Sequence, residues 1–216
     1  MIADTAQRLD RMYAWQRHVY DLTRKFYLLG RDRLIDELPV RPGDGVAEIG
    51  CGTGRNLVAL ARRHPAVRLY GLDASAQMLT TARRNLARAG LSPQVQLAQG
   101  LGEDLDPTAM FGRDQPFDAI VLSYVLSMIP SWPAALERTL DCLRPGGTVA
   151  IVDFGAQERL PPWFRDALGA WLALFEVRPR HELADYLCRQ ASRRGGRVTA
   201  VSLYHGYSTY LTYRAP

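Results

Sequence analysis

Residues 48–54 read EIGCGTG and place one carboxylate ahead of three alternating glycines. Gly50, Gly52 and Gly54 let the main chain approach a ligand closely and tolerate the positive φ that a sharp turn needs. Glu48 would repel a phosphate, but it can accept hydrogen bonds from an ammonium group or from water bound to one. A dinucleotide fingerprint, G-x-G-x-x-G, needs its third glycine where Arg55 stands, so a pyrophosphate is not the expected ligand. A second chemical feature lies upstream, in MYAWQRHVYDLTRKFYLLGRD, residues 12–32. At helical spacing Met12, Trp15, Val19, Leu22, Phe26 and Leu29 make an apolar stripe. Beside it Tyr13, Arg17, Tyr20, Arg24, Tyr27 and Arg31 alternate phenols with guanidiniums down one edge.

The elements that must hold these groups alternate along the chain. Gly45 to Ile49 is a short buried strand running into the glycine turn, and RNLVALARRH then reads as a helix. VRLYGLD is a second strand ending at Asp73, SAQMLTTARRNLARAG a helix stopped by Gly90, and QVQLAQG a third strand. Residues 117–122 give a fourth strand, WPAALERTLDCLRPGG a helix closed by Pro-Gly-Gly, and TVAIVDF a fifth strand. Strands alternating with helices predict a parallel sheet covered on both faces. The tail GRVTAVSLYHGYSTYLTYR differs: two strand-like runs are separated by His205-Gly206, which predicts a tight hairpin and an antiparallel last strand. The basic pairs Arg62-Arg63, Arg83-Arg84 and Arg193-Arg194 are expected at helix ends, where cations are favoured.

A chain of 216 residues, 47% hydrophobic, suits one α/β domain with a short extension. Its cysteines, Cys51, Cys142 and Cys188, are far apart and form no CxxC pair, so neither a metal site nor a disulfide framework is expected. No signal-like leader opens the sequence, and no apolar run reaches the roughly 20 residues that cross a bilayer. The expected location is the cytoplasm, with peripheral contact at the inner membrane. A formal charge of +5 favours anionic surfaces. Because Lys25 is the only lysine, that charge is almost all arginine, and charge alone is too weak a ground to expect nucleic acid as a partner.

With an acidic residue before G-x-G-x-G, the sequence resembles the class I S-adenosylmethionine-dependent methyltransferases over residues 44–154. The resemblance implies a Rossmann-like α/β fold: a seven-stranded, mostly parallel sheet with an antiparallel last strand, preceded by a helical lid. It divides the chain into a lid, residues 1–38, and a cofactor-binding domain, residues 39–216. It implies S-adenosyl-L-methionine as cofactor, with Asp73 bonding both ribose hydroxyls and with Ala74 and Met78 flanking the adenine. FDAIVLSYVL and LRPGGTVAIVDF match later motifs of the family, which puts Ser123 and Tyr124 beside the methionine half and the substrate mouth. One stretch departs from the family pattern. Where an Asp commonly bonds the adenine amino group, this chain has GLGED, so Leu101 cannot accept that bond. Backbone amides near Gly102, with Glu103 or Asp104, are the expected substitutes.

Methyl transfer from a sulfonium is an in-line displacement, and the enzyme mainly aligns the reactants and excludes water. The mouth segment SYVLSMIP holds neither histidine nor carboxylate, which favours an amine bound neutral over an oxygen needing a base. YDLTRKFYLLGRDRLI, GCGTGRN, VDFG and HGYSTYLTYR also resemble the bacterial betaine-lipid N-methyltransferases, which convert diacylglyceryl-homoserine stepwise to its trimethylated form. That resemblance implies Tyr20 and Arg24 at the methionine carboxylate, with Tyr20 and Tyr124 as catalytic residues. It implies Tyr13, Tyr27 and Tyr124 around the methylated ammonium, Arg31 at the homoserine carboxylate, and transient contact with an anionic membrane surface. The alternative acceptor is a soluble or quinone-like small molecule. The remaining segment, LPPWFRDALGAWLALFEVRPRHELADYL, carries an apolar stripe of Trp163, Phe164, Ala167, Leu168, Trp171, Leu172 and Phe175. It is read either as a helix face packed on the sheet or as a hydrophobic acceptor channel or interfacial membrane contact.

Overall fold

A computed structural model describes residues 28–216. Gly30, at φ 86°, immediately precedes helix α1 (Arg31–Asp36), whose Leu34 and Ile35 are buried. Strand β1 (Gly45–Ile49), helix α2 (Arg55–Arg63), strand β2 (Arg68–Asp73), helix α3 (Ala76–Arg88) and strand β3 (Val95–Gln99) follow. Then come α4 (Pro107–Phe111), β4 (Phe117–Ser123), α5 (Trp132–Asp141), β5 (Leu143–Phe154), α6 (Pro162–Ala173), α7 (Leu183–Arg194), β6 (Arg197–Leu203) and β7 (Ser208–Arg214).

The seven strands form one sheet in the order β3-β2-β1-β4-β5-β7-β6. Strands β1 to β5 pair in parallel, and β7 runs antiparallel to both neighbours, as the alternation and the tail hairpin predict. All five residues of β1 are buried, the mark of a strand covered on both faces. Alternate strand residues feed two cores. Val46, Ala119, Val121, Ala150 and Val152 join Leu57, Leu60, Leu79, Leu86, Leu168 and Leu172 on one side, so α1, α2, α3 and α6 share that face. Ala47, Ile49, Ile120, Leu122, Val149 and Ile151 join Leu136, Leu140, Leu183 and Leu187 on the other, covered by α5 and α7. Each fully buried leucine contributes about 1.5–3 kcal/mol relative to leaving it in water.

Three expectations change. Pro145-Gly146-Gly147 does not close a helix: α5 ends at Asp141, and these residues lie inside β5. The pairing of β4 with β5 shifts between Phe117, opposite Leu143, and Ala119, opposite Thr148, so the extra residues form a bulge. Arg83-Arg84 lies within α3 rather than at its end, because the helix runs on to Arg88. In α6 the broad stripe divides. Leu168 and Leu172 point into the core, with Phe164, Trp171 and Phe175 packed at its margin, whereas Trp163 and Ala167 face outward. Of the expected lid, residues 28–38 are described, and Leu28, Leu34, Ile35 and Leu38 belong to the first core.

Candidate active site

The glycine turn hangs from the end of β2. The Gly50 and Cys51 N–H groups both donate to the Leu72 carbonyl, at 2.8 and 3.0 Å, and Gly54 N–H donates to Cys51 O at 2.9 Å. Gly50, Gly52 and Gly54 have φ of 70°, 54° and 76°, values that favour glycine. At Gly50 space is also limiting, because an added Cβ would lie 2.3 Å from Val125 Cγ2, in the segment following β4. Asn85 of α3 donates to the Thr53 carbonyl at 2.9 Å and fixes the far side of the turn.

This turn borders a pocket of about 390 Å³ whose walls include Leu28, Arg31, Glu48, Gly50, Gly52, Asn56 and Ser123. Glu48 is buried at the penultimate position of β1 and accepts a 2.7 Å hydrogen bond from Asn56 Nδ2. Arg31, also buried, donates from Nε to Leu28 O at 3.1 Å. The pocket therefore has an anionic wall and a cationic wall. Cys51 beside it stays a neutral thiol, since burial and then the charges of Asp73 and Glu48 push its pKa well up. Thr81 and Asn85 also line this pocket and stand in no motif, while Arg55 and Asn56 line it from the end of the GCGTGRN phrase, which by itself assigns them no role. Asn56 reaches Glu48 only because α2 folds back on β1.

At the end of β2, Asp73 accepts from Gly52 N–H at 2.7 Å through one oxygen and from Ser75 N–H at 2.9 Å through the other. A carboxylate has room for further donors beside these. Ser75 caps α3 by accepting from Met78 N–H at 3.3 Å, and Met78 is buried. The Ala74 carbonyl receives Gln99 Nε2 at 3.1 Å. Leu101 precedes a short 3-10 turn, and Gly102 is packed so closely that a Cβ there would sit 3.2 Å from both Ala135 Cβ and Ile49 Cγ2. Glu103 receives the Ser131 hydroxyl at 2.5 Å, which ties that carboxylate to the start of α5.

The mouth is built by the ends of β4 and β5. Ser123 lines the pocket, and Tyr124 follows it at φ 54° with its side chain buried. The Tyr124 hydroxyl donates to Leu29 O at 2.6 Å, and its ring meets Phe154 edge-on at 4.8 Å between centroids. Phe154 in turn meets Tyr207 at 6.1 Å. Burial pushes the Tyr124 phenol far up and that of Tyr207 up to about 12, so both remain protonated at neutral pH. Below them Asp153 is fully buried, accepting from Ser127 N–H at 3.1 Å and Phe154 N–H at 2.8 Å. Arg180 donates to Leu126 O at 3.2 Å and Ile129 O at 2.9 Å, and Arg178 N–H to Ser127 O at 2.8 Å. A carboxylate and a guanidinium from different elements thus hold the segment that carries Val125. Tyr13, Tyr20, Arg24 and Tyr27 lie outside the described residues.

Residues 46–147 match the family model described as a methyltransferase domain. Demethylmenaquinone methyltransferase of Beutenbergia cavernae is 30% identical over 181 residues, covering 78% of this chain and 68% of that protein. This chain belongs to the class I S-adenosylmethionine-dependent methyltransferases. Another relative, phosphatidylethanolamine N-methyltransferase of Cereibacter sphaeroides, is 32% identical over 119 residues, with 55% of each chain covered. The mitomycin 7-O-methyltransferase MmcR has the same fold, with a TM-score of 0.69 at 18% identity over 88% of this chain and 54% of that one. S-adenosylmethionine is the methyl donor of this methyltransferase, and the pocket's chemistry fits it. Glu48 and Arg31, of opposite charge on two walls, suit an α-amino acid's ammonium and carboxylate, and Asp73 suits a pair of vicinal hydroxyls.

Proposed function

We propose that this methyltransferase methylates the amine of a lipid headgroup, diacylglyceryl-homoserine, in successive steps to the trimethylated betaine lipid at a membrane surface. The observation that carries this reading is the buried aromatic cluster of Tyr124, Phe154 and Tyr207, which begins at the residue after pocket-lining Ser123. As an ammonium gains methyl groups it loses donors, and aromatic faces attract such a cation where hydrogen-bond acceptors no longer can. The N-methyltransferase of C. sphaeroides, named for a phospholipid amine, is a relative in keeping with it.

S-adenosylmethionine supplies a methyl carbon on a sulfonium, open to in-line displacement. The chain's own part is positioning. Glu48 and Arg31 would hold the donor's amino-acid end, and Arg31, sharing a pocket with Glu48, is better placed for the donor's carboxylate than for the acceptor's. Tyr124, its proton spent on Leu29 O, would offer its ring rather than its hydroxyl to the amine. Tyr20 and Arg24 are further candidates at the carboxylate, with Tyr13 and Tyr27 around the headgroup.

Incubation with S-adenosylmethionine and diacylglyceryl-homoserine in detergent micelles, followed by mass spectrometry, is expected to give mono-, di- and trimethylated lipid. No turnover there would refute the reading. Turnover instead of a demethylated naphthoquinol would favour a quinone-like acceptor, the second reading, which draws on the name of the B. cavernae relative.

A further inference from the structure

Positive charge is unevenly distributed in this chain. Residues 51–100 hold seven arginines and one acidic residue, Asp73, so this quarter of the sequence alone outweighs the whole chain's +5. All seven, Arg55, Arg62, Arg63, Arg68, Arg83, Arg84 and Arg88, are exposed. Six lie on α2 and α3, adjacent helices that hold no acid at all. Two are partnered across the surface, Arg55 with Asp32 at 3.2 Å and Arg63 with Asp36 at 3.3 Å. Among the described residues Arg62, Arg83, Arg84 and Arg88 face no carboxylate within ion-pair distance. A general arginine bias would scatter acids among these positions as it does elsewhere in the chain, where residues 101–216 carry thirteen acids against twelve arginines.

The two helices leave a groove of about 500 Å³ between them, lined by Arg55, Arg62 and Arg88 together with Val58, Ala59 and Asn85. Arg55 and Asn85 also line the cofactor pocket, so the basic groove runs from the pocket's edge onto the surface. On the same side of the sheet α6 carries exposed apolar residues on its outward face, beside the mutually paired Arg165 and Asp166, as well as a buried apolar face. Trp163 and Leu174, eleven residues apart and so nearly in line on a helix, are 72% and 70% exposed, with Ala167 and Ala170 exposed between them. A polyanion in water has use for the arginines but not for an aliphatic and indole ridge. An anionic bilayer has use for both, because basic groups meet its headgroups while tryptophan and leucine enter the interface.

We infer that the α2–α3 arginine face is the docking surface for an anionic phospholipid bilayer, seating the enzyme with its cofactor pocket next to the membrane. The inference rests on the lipid-acceptor reading above. The full chain should float with vesicles containing phosphatidylglycerol, not with pure phosphatidylcholine, and should detach as salt is raised. Arg62→Gln with Arg88→Gln, both outside the cofactor pocket, should weaken that binding about thirtyfold, at roughly fivefold per arginine. Methylation of micellar diacylglyceryl-homoserine should be unchanged in the same variant, which keeps a failed acceptor assignment distinct from a failed surface. Binding of the double variant equal to that of the parent would overturn the inference, as would equal flotation with neutral vesicles. Tight, salt-sensitive binding to duplex DNA or RNA with no vesicle binding would also overturn it, and would assign the face to nucleic acid.

Discussion

Of the described residues lining the cofactor pocket, Glu48 is the one carboxylate. Glu48→Gln keeps an oxygen for Asn56 but removes the charge, so the melting temperature should change little. Affinity for the demethylated cofactor should fall about 10- to 100-fold, the worth of a hydrogen bond to a charged group. Calorimetric titration checks this, and an unchanged Kd would mean the ammonium lies elsewhere. Asp153 answers to pH. Burial raises its pKa from 3.8 to about 6, against the opposing hydrogen bonds from Phe154 and Ser127, with Arg180 and Tyr124 as its charged and titratable neighbours. Between these two values the folded chain keeps a proton that the unfolded chain has lost. Stability must therefore fall as pH rises through the window, by about 2–3 kcal/mol from this group. Urea unfolding at pH 4 and pH 7 should show Asp153→Asn gaining on the parent by that amount, and a constant gap would contradict it.

At the scale of elements, the glycine turn and the segment after β4 are one mechanical unit, because Val125 occupies the space next to Gly50. Gly50→Ala should cost about 2–4 kcal/mol, combining left-handed strain with the overlap. Adding Val125→Ala should recover the overlap but not the strain, so a double-mutant cycle by chemical denaturation should return a non-zero coupling. Strict additivity would show that the two do not compete. Features that depend on neighbours in sequence were legible in advance: the bounds of β1, the glycine positions, the hairpin at His205-Gly206 and the parallel sheet. Features that depend on register were not. Asn56 meets Glu48, Tyr124 meets Leu29 and Arg180 meets Ile129 across separations of 8, 95 and 51 residues, and no local period encodes such pairs. Pro-Gly-Gly misled because the same residues that stop a helix also make a bulge. The stripe on α6 divides between core and surface because it is broader than the face that the sheet covers, and no local period says where that division falls.

In the whole molecule, chemistry and stability sit at opposite ends of the sheet. The pocket gathers at the carboxyl ends of β1, β2 and β4, as open α/β sheets favour. At the other end Asp118 accepts Gly45 N–H at 2.7 Å and pairs with Arg144 and with Arg113, whose guanidinium lies over the rings of Tyr70 and Phe117. Burial alone would raise the Asp118 carboxyl, yet these donors hold it below its ordinary value. Asp118→Ala should therefore destabilise the fold by about 3 kcal/mol, by stranding a largely buried guanidinium. Cofactor affinity at the far end should be untouched, and a thermal melt with a binding isotherm measures both. The position of β7 also bears on synthesis. It lies between β5 and β6 although it follows both in the chain. While a ribosome is still adding residues 208–214, β6 has no strand to pair with, and the β5 edge over residues 148–154 is bare along an almost wholly buried run. Until residues 208–214 emerge, the nascent chain thus carries an unpaired, buried-type edge on β5, which one hairpin then closes.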